Sequence, residues 1–134
     1  MTKDQAKEFI LQRFVDNIGS TPYTFANENY DPPTDREFVY FEVVEEFSYQ
    51  ESLGNTGNRK YEREGSIRAR VFTPVDTGTA LSDSIATTIR TTFEGVSFDG
   101  IRCFDATARD LAPDAKNPWF QQVVEIEFQY TDIK

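Results

Sequence analysis

The sequence contains no histidine among its 134 residues and only one cysteine, Cys103. Histidine is the most common general base and metal ligand, so its absence removes the usual route to both kinds of site. A single cysteine excludes an intrachain disulfide and a cysteine-rich zinc site. Cys103 is therefore predicted to be a small buried side chain, with a reactive thiol as the less favoured alternative.

Long apolar runs are also missing. No run of about eighteen apolar residues exists that could form a transmembrane helix, and the first residues, Met1–Asp4, lack the apolar stretch of a signal peptide. We therefore expect a soluble protein that is made in a cytoplasm and has no membrane contact.

Positive charge is scarce, since 23 acidic and 14 basic residues give a net charge of −9. A subunit with this charge repels phosphate groups, so general nucleic-acid binding is disfavoured. Residues 50–70 are the exception, with five bases against three acids. They are either a solvated loop and strand or a charged arm that meets the acidic surface of a neighbouring copy. The five bases are Arg59, Lys60, Arg63, Arg68 and Arg70.

Aromatic residues are plentiful, with twelve Phe, six Tyr and one Trp, which is enough to build a core. The length suits one domain, and no Pro/Gly/Ser-rich linker divides the chain. We therefore predict a single domain over residues 1–134.

Two stretches show the spacing of amphipathic helices, with an apolar residue at every fourth position. Residues 3–17 begin at a Thr2/Gln5 capping box and end before Gly19. Residues 80–94 end before Gly95, a predicted C′ residue. The predicted core faces consist of Ala6, Phe9, Ile10, Phe14 and Ile18 in the first helix, and of Leu81, Ile85, Ala86, Ile89 and Phe93 in the second.

Alternating apolar residues predict strands separated by loops rich in Gly, Pro, Asn and charge. In the first strand, Val39, Phe41, Val43 and Phe47 are predicted to share one face. Aromatic residues on both faces near its start predict that both faces are covered there. Asp99-Gly100 is predicted to form a hairpin turn. The predicted strands are 38–48, 65–73, 96–107 in one or two pieces, and 119–131; the predicted loops are 19–37, 49–64 and 109–118.

This order of elements does not alternate as βαβ, so it predicts an α+β fold. We expect a mainly antiparallel sheet with two helices packed on one face and a long β-hairpin arm formed around residues 49–64.

The strongest functional indication is a series of short motifs in a fixed order. The motifs are Pro22-Tyr23-Thr24-Phe25-Ala26-Asn27-Glu28, Tyr30-Asp31-Pro32-Pro33, Gln50-Glu51-Ser52-Leu53-Gly54, Arg63-Glu64-Gly65-Ser66-Ile67, and Val71-Phe72-Thr73-Pro74 with Gly78-Thr79. Together they resemble the tail terminator proteins of long-tailed bacteriophages, lambda-type proteins included, over most of the chain.

The resemblance implies a virion structural protein that assembles with itself into a ring, a hexamer. Such a ring caps the tail tube at its head-proximal end, stops polymerisation of the tube protein and offers a surface for a head-completion or connector protein. DNA would pass through without specific binding, and assembly would take place in the bacterial cytoplasm. Another head–tail connector, such as a neck or tail-completion protein, is the alternative.

Candidate contact residues come from the aromatic loop and the charged arm. Large aromatic residues in a loop either cover the core or form a subunit contact, since interfaces favour Tyr and Phe. The candidate interface with a subunit or with the tube is Tyr23, Phe25, Tyr30, Tyr49, Leu53, Arg59, Lys60 and Arg63.

The sequence predicts no catalytic, cofactor or metal site. Ser82-Asp83-Ser84 fits a helix start better than a nucleophile, because no histidine is available as base. Asp31, Asp35 and Glu37 fit solvated acids better than ligands of a hard cation. An assembly protein is therefore favoured over an enzyme.

Overall fold

The computed structural model describes residues 1–33, 35–75, 78–111 and 119–134. These residues form a sheet with strand order β1-β2-β3-β6-β5-β4, curled like half a barrel, and two helices. All strand pairs are antiparallel except β1–β2, which is parallel. The elements are α1 Lys3–Ile18, β1 Tyr23–Phe25, β2 Phe38–Gln50, β3 Lys60–Pro74, α2 Ala80–Phe93, β4 Ser97–Phe98, β5 Ile101–Leu111 and β6 Trp119–Ile133. The predicted α+β fold is confirmed.

Helix α1 begins where the sequence predicted it, because the Thr2 N–H donates to Gln5 Oε1 at 3.0 Å and so satisfies a free donor. The predicted apolar stripe is buried, and Phe14 stacks on Phe41 with ring centroids 4.1 Å apart. The prediction for Phe9 was wrong, since its side chain is 40% exposed. Phe9 lies one position before Ile10, which rotates it about 100° away from the centre of the stripe.

Helix α2 packs beside α1, and Arg13 Nε donates to Thr92 O at 2.7 Å across the pair. Its predicted core residues are buried except Leu81, which is 42% exposed in the first turn. Gly95 has φ 67°, as predicted for a residue that ends a helix in the left-handed region. No helix among the described residues is both long and apolar enough to span a membrane.

The sheet has a core face and an open face. Both helices lie against the core face. On this face β3 contributes Ile67, Ala69 and Val71, each of which is fully buried. Cys103, which was predicted to be buried, and Ile101 also point into this core. The opposite face, which we call the open face, carries side chains such as Tyr40, Glu42, Arg68, Arg70, Thr107, Arg109, Glu125 and Glu127.

The predicted coverage of both faces near the start of β2 is confirmed. On the open face Phe38 stacks on Phe72 at 4.6 Å and meets Trp119 edge-on at 5.1 Å. Tyr30 from the preceding loop lies 5.9 Å away, so Phe38 is only 7% exposed. This aromatic cluster protects one end of the open face from water.

Three predicted loops prove to contain strand. Tyr23–Phe25 pairs with Val39–Phe41, and residues 109–111 belong to β5. Residues 60–64 belong to β3, because the C-terminal end of β6 pairs with them as far as Lys60↔Ile133. The rest of the predicted loop 109–118, from 112 onward, lies outside the described residues.

A β-bulge in β2 overturns the predicted face of Phe47. The strand register shifts between Glu45 and Phe47, so Glu45 pairs with Gly65 and Phe47 with Glu64. One extra residue in a strand moves the following side chains to the opposite face. Phe47 therefore lies on the open face, where 59% of its surface is exposed.

Candidate interaction surface

The predicted arm is a three-stranded structure rather than a free hairpin. It consists of the ends of β2 and β3, the end of β6 and the connection 51–59. The C-terminus closes it: Arg59 and Lys134 exchange two backbone hydrogen bonds, at 3.3 and 2.9 Å. In β2 all five residues from Glu46 to Gln50 are exposed, so this part of the strand meets solvent along its length.

The connection itself is held by local hydrogen bonds. The backbone N–H groups of Glu51 and Asn58 donate to Lys60 O and Asn55 O, at 2.8 and 2.9 Å. The Ser52 Oγ accepts from Lys60 N at 3.1 Å. These bonds satisfy backbone groups that would otherwise depend on water, and they hold the connection as a structured turn.

Two apolar side chains on the arm are exposed to solvent and could contact another protein. Leu53 is 96% exposed, and Tyr49 is 41% exposed. Phe47 pairs with Tyr49, with ring centroids 5.8 Å apart, and the sequence prediction missed it as a surface residue. The signal was present in Glu45-Glu46, two adjacent acids that interrupt the alternation where the bulge occurs. We refer to the three exposed apolar side chains Phe47, Tyr49 and Leu53 as the apolar arm patch.

Arg63 holds the arm together and is not part of the exposed tip. Its guanidinium binds Asp132 Oδ2 at 3.0 Å and also contacts Ser48 Oγ. It lies over the Tyr61 ring, 5.1 Å from the centroid. The side chains of Arg63 and Asp132 are 17% and 13% exposed. Lys60 remains exposed, and Arg59 Nε donates to the Lys134 carbonyl at 3.2 Å.

Glu62 is a buried carboxylate on the open-face side of the arm. Gln129 Nε2 and Thr131 Oγ1 donate to its two oxygens at 2.7 and 2.6 Å. Burial acts to raise the pKa of Glu62, but these hydrogen bonds outweigh it and leave the pKa below its usual value. The hydrogen bond and charge of Glu62 in turn raise the pKa of Glu51. Glu62 therefore has a structural role in joining β3 to β6.

The predicted aromatic loop residues pack on the core. Tyr23 and Phe25 meet Phe14 edge-on, with centroids 5.5 and 6.2 Å apart. Tyr30 packs against Phe38 on the other side of the sheet. Tyr23 and Phe25 thus cover the core within the subunit, which is one of the two roles predicted for them. The predicted interface residues fall into separate groups, since only Tyr49, Leu53, Arg59, Lys60 and Arg63 share the arm.

The open face next to the arm is acidic. A cleft of about 300 Å³ is lined by Glu46, Glu64 and Glu127 together with Phe47 and Phe104. Arg68 partly balances the acids, with Nη2 2.7 Å from Glu46 and Nε 3.8 Å from Glu125. Such a surface fits a partner with basic and apolar side chains.

Two side chains that the sequence raised as possible reactive groups, Cys103 and Ser82, are buried. Burial raises the pKa of the Cys103 thiol to about 12, so it is a neutral thiol at physiological pH. Within the described ranges, no group of three or more Cys, Asp or Glu side chains is placed to hold a metal ion. Ser82, from the Ser-Asp-Ser sequence, is buried in the first turn of α2 and donates to Thr79 O at 3.0 Å, a local side chain-to-backbone bond.

No protein-family model matches this chain, and a search of curated proteins gives no significant match. Solved structures do match. One protein, whose name states no function, superposes with a TM-score of 0.71 over 97% of this chain and 96% of its own. Its sequence is 12% identical, so the likeness shows the fold alone.

Proposed function

We propose that this chain is a phage tail terminator: a structural subunit that forms a ring, caps the tail tube and presents a surface for head joining. Its function is binding, without turnover of a substrate. The observation that carries the proposal is the apolar arm patch, where Phe47 and Leu53 are 59% and 96% exposed on an otherwise ordered arm. Large apolar side chains on one exposed element are typical of protein contact sites.

The ordered series of motifs gives the proposal its specific content. Two motifs border the arm: Gln50–Gly54 forms its tip, and Arg63–Ile67 lies in β3. Pro22–Glu28 includes β1, which pairs with β2 and covers Phe14. The motifs of the resemblance thus include the tip of the arm, part of β3 and the short strand that pairs with the start of β2, which suits a role in assembly.

The acidic open face supports passage of DNA without binding. This face carries Arg68, Arg70 and Arg109 beside a larger set of acids, and a chain with net charge −9 repels phosphate groups. The acids are Glu42, Glu46, Glu64, Glu125 and Glu127. A ring that turns this face toward its channel would let the duplex slide. The expected partners are further copies of the chain, the tube protein and a head-completion or connector protein.

The test is assembly of the purified chain with tubes polymerised from the tube protein of the same phage. Mass photometry is expected to show a hexameric ring. The fraction of the protein in this ring should rise with concentration. Electron microscopy is expected to show the ring at one end of each tube, and tubes capped in this way stop growing. Phe47→Ser should prevent capping. Phe9→Ser is the control, because it changes an exposed aromatic residue outside the arm and should leave capping unchanged.

Two results would contradict the proposal. Tubes that elongate equally with and without the protein would exclude a terminator. Tight duplex DNA binding that weakens steeply with salt would instead favour the neck or tail-completion protein.

A further inference from the structure

Within the described part of the chain, the outer edges of β2 and β5 lack a neighbouring strand over most of their length. On one side, β1 covers β2 only at Val39–Phe41, and no described strand lies beside β2 from there to Gln50. On the other side, β4 covers only the start of β5. Unpaired edges are templates for another chain, and soluble proteins usually protect them.

The open positions on β5 can be assigned from two side-chain hydrogen bonds. The Ala106 N–H donates to Glu94 Oε2 at 2.8 Å, and Arg90 Nη2 donates to Ala106 O at 3.3 Å. The backbone groups of Ala106 therefore point away from β6. Because this direction alternates along an antiparallel strand, those of Ala108 and Asp110 point the same way. Side chains at the C-terminal end of α2 thus bind the outward backbone groups of Ala106. The outward backbone groups of Ala108 and Asp110 have no partner among the described residues.

The open positions on β2 follow from the same reasoning. The Val39 N–H donates to Pro22 O at 2.9 Å, on the side away from β3. Alternation then directs the backbone groups of Val43 and Glu45 outward, beyond the end of β1. A cleft of about 320 Å³, lined in part by Leu11, Phe25 and Val43, lies beside this stretch. The outer edge of β2, which β1 pairs with only at Val39–Phe41, is therefore not paired with any described strand beyond that point.

We propose that the outer edge of β2 pairs with the outer edge of β5 from a second copy of this chain. The two strands run in opposite directions in the sheet, because β2, β3, β6 and β5 are successively antiparallel. A copy related by rotation about an axis along the strands therefore presents β5 antiparallel to β2. Each copy has one edge of each kind, so the contact is head-to-tail and closes into a ring when the rotation allows.

Charge favours this pairing over pairing of like edges. On the open face, the β2 edge carries Glu42 and the β5 edge carries Arg109. Neither side chain forms an ion pair with another described residue. Cross-strand pairs of opposite charge stabilise a sheet, whereas like charges oppose pairing. The acid of one edge therefore matches the base of the other.

This inference names an interface for the ring proposed above and rests on that proposal. It differs from the apolar arm patch, which remains available for the tube. A variant that loses one contact is expected to keep the other, so the two can be tested separately.

The first experiment compares Asp110→Pro with Asp110→Ala. Proline removes the outward N–H of an exposed edge residue and spares the bonds to β6, so the monomer is expected to keep its circular dichroism. Ring formation by mass photometry should weaken roughly tenfold or more, since interfacial hydrogen bonds are lost and the edge is blocked. Asp110→Ala retains the N–H and is expected to assemble like wild type. Equal assembly of Asp110→Pro and wild type would overturn the edge pairing.

The second experiment uses charge reversal in two separate proteins. Glu42→Arg makes both edges basic, and Arg109→Glu makes both edges acidic, so each variant alone is expected to assemble roughly tenfold or more weakly. Mixed together, they should form rings in which the two variants alternate, which native mass spectrometry identifies. A mixture as weak as the single variants would overturn the β2–β5 assignment, as would full assembly of Arg109→Glu alone.

Failure of the wider proposal gives a different result. If the wild-type chain caps tubes but Asp110→Pro also forms normal rings, the terminator function stands and the edge contact is wrong. If wild-type rings form and respond to the edge variants but never bind tubes, the edge contact stands and the terminator function is wrong. A wild-type chain that remains monomeric at its solubility limit overturns the edge contact directly.

Discussion

Arg63 in β3 and Asp132 in β6 form an ion pair of 3.0 Å with both side chains largely buried. The pair joins the C-terminal strand to the arm, across 69 residues of sequence. Arg63 therefore differs from Arg59 and Lys60, with which the sequence grouped it as one basic tip. The three residues should respond differently to mutation.

Arg63→Ala is expected to lower the free energy of unfolding by about 1.5–3 kcal/mol, because Asp132 loses a charged hydrogen bond in a largely buried position. Lys60→Ala is the matched control, and its exposed side chain should change stability by less than about 0.5 kcal/mol. Urea unfolding followed by circular dichroism measures both. Equal stability of the two variants would show that the Arg63 pair contributes nothing measurable.

Phe14→Ala is expected to destabilise the fold by about 3–5 kcal/mol, because it leaves a cavity beside Phe41. Phe9→Ala, five positions earlier on the same helix, removes a side chain that is 40% exposed and should cost far less. Thermal melting of both variants checks the orientation of α1. A Phe9 variant that melts earlier than the Phe14 variant would show that this orientation is wrong.

Gly65→Ala is expected to be strongly destabilising, by about 3 kcal/mol or more, although alanine normally suits a strand better than glycine. An added Cβ would collide with the backbone oxygen of Val44 and would lie 2.8 Å from the Phe128 ring. A backbone atom can move away only if the bulge of β2 is rearranged. Ser66→Ala is the neighbouring control, and soluble expression with urea unfolding provides the comparison. Wild-type stability of Gly65→Ala would contradict the close contact of these strands.

Cys103 should make the protein sensitive to high pH. Burial raises the pKa of this thiol from an ordinary 9.0 to about 12, with the Arg13 charge acting weakly in the other direction. The unfolded chain loses the proton first, so stability present below pH 9 falls as the pH rises toward 12. The loss from this residue is about 2 kcal/mol near pH 10.5.

The measurement is the urea midpoint at several pH values, for wild type and Cys103→Ala. The variant should show a shallower decline above pH 9. Tyr130 supplies a remaining decline, because burial and its 2.6 Å hydrogen bond to Glu45 also raise the pKa of its hydroxyl. Identical slopes for the two proteins would mean that Cys103 ionises normally in the folded state.

Part of the candidate site could be predicted from composition alone. Leu53 and Tyr49 are exposed on the arm, as expected of apolar residues among Gly, Asn and charges. Arg63 could not be separated from Lys60, because its partner Asp132 is brought close only by the β3–β6 pairing. Whether these residues contact a neighbour or a tube remains a prediction.

Local patterns were enough to predict the two helices, most of their buried residues and the Asp99-Gly100 turn, because helical periodicity, caps and turn residues act over a few neighbouring positions. Features that depend on distant strands could not be predicted in this way. Residues 60–64 become strand because the end of β6 lies beside them. Phe47 turns to the open face because the register with β3 requires a bulge at that point. Strand pairing joins residues far apart in the chain, so no local pattern specifies its register.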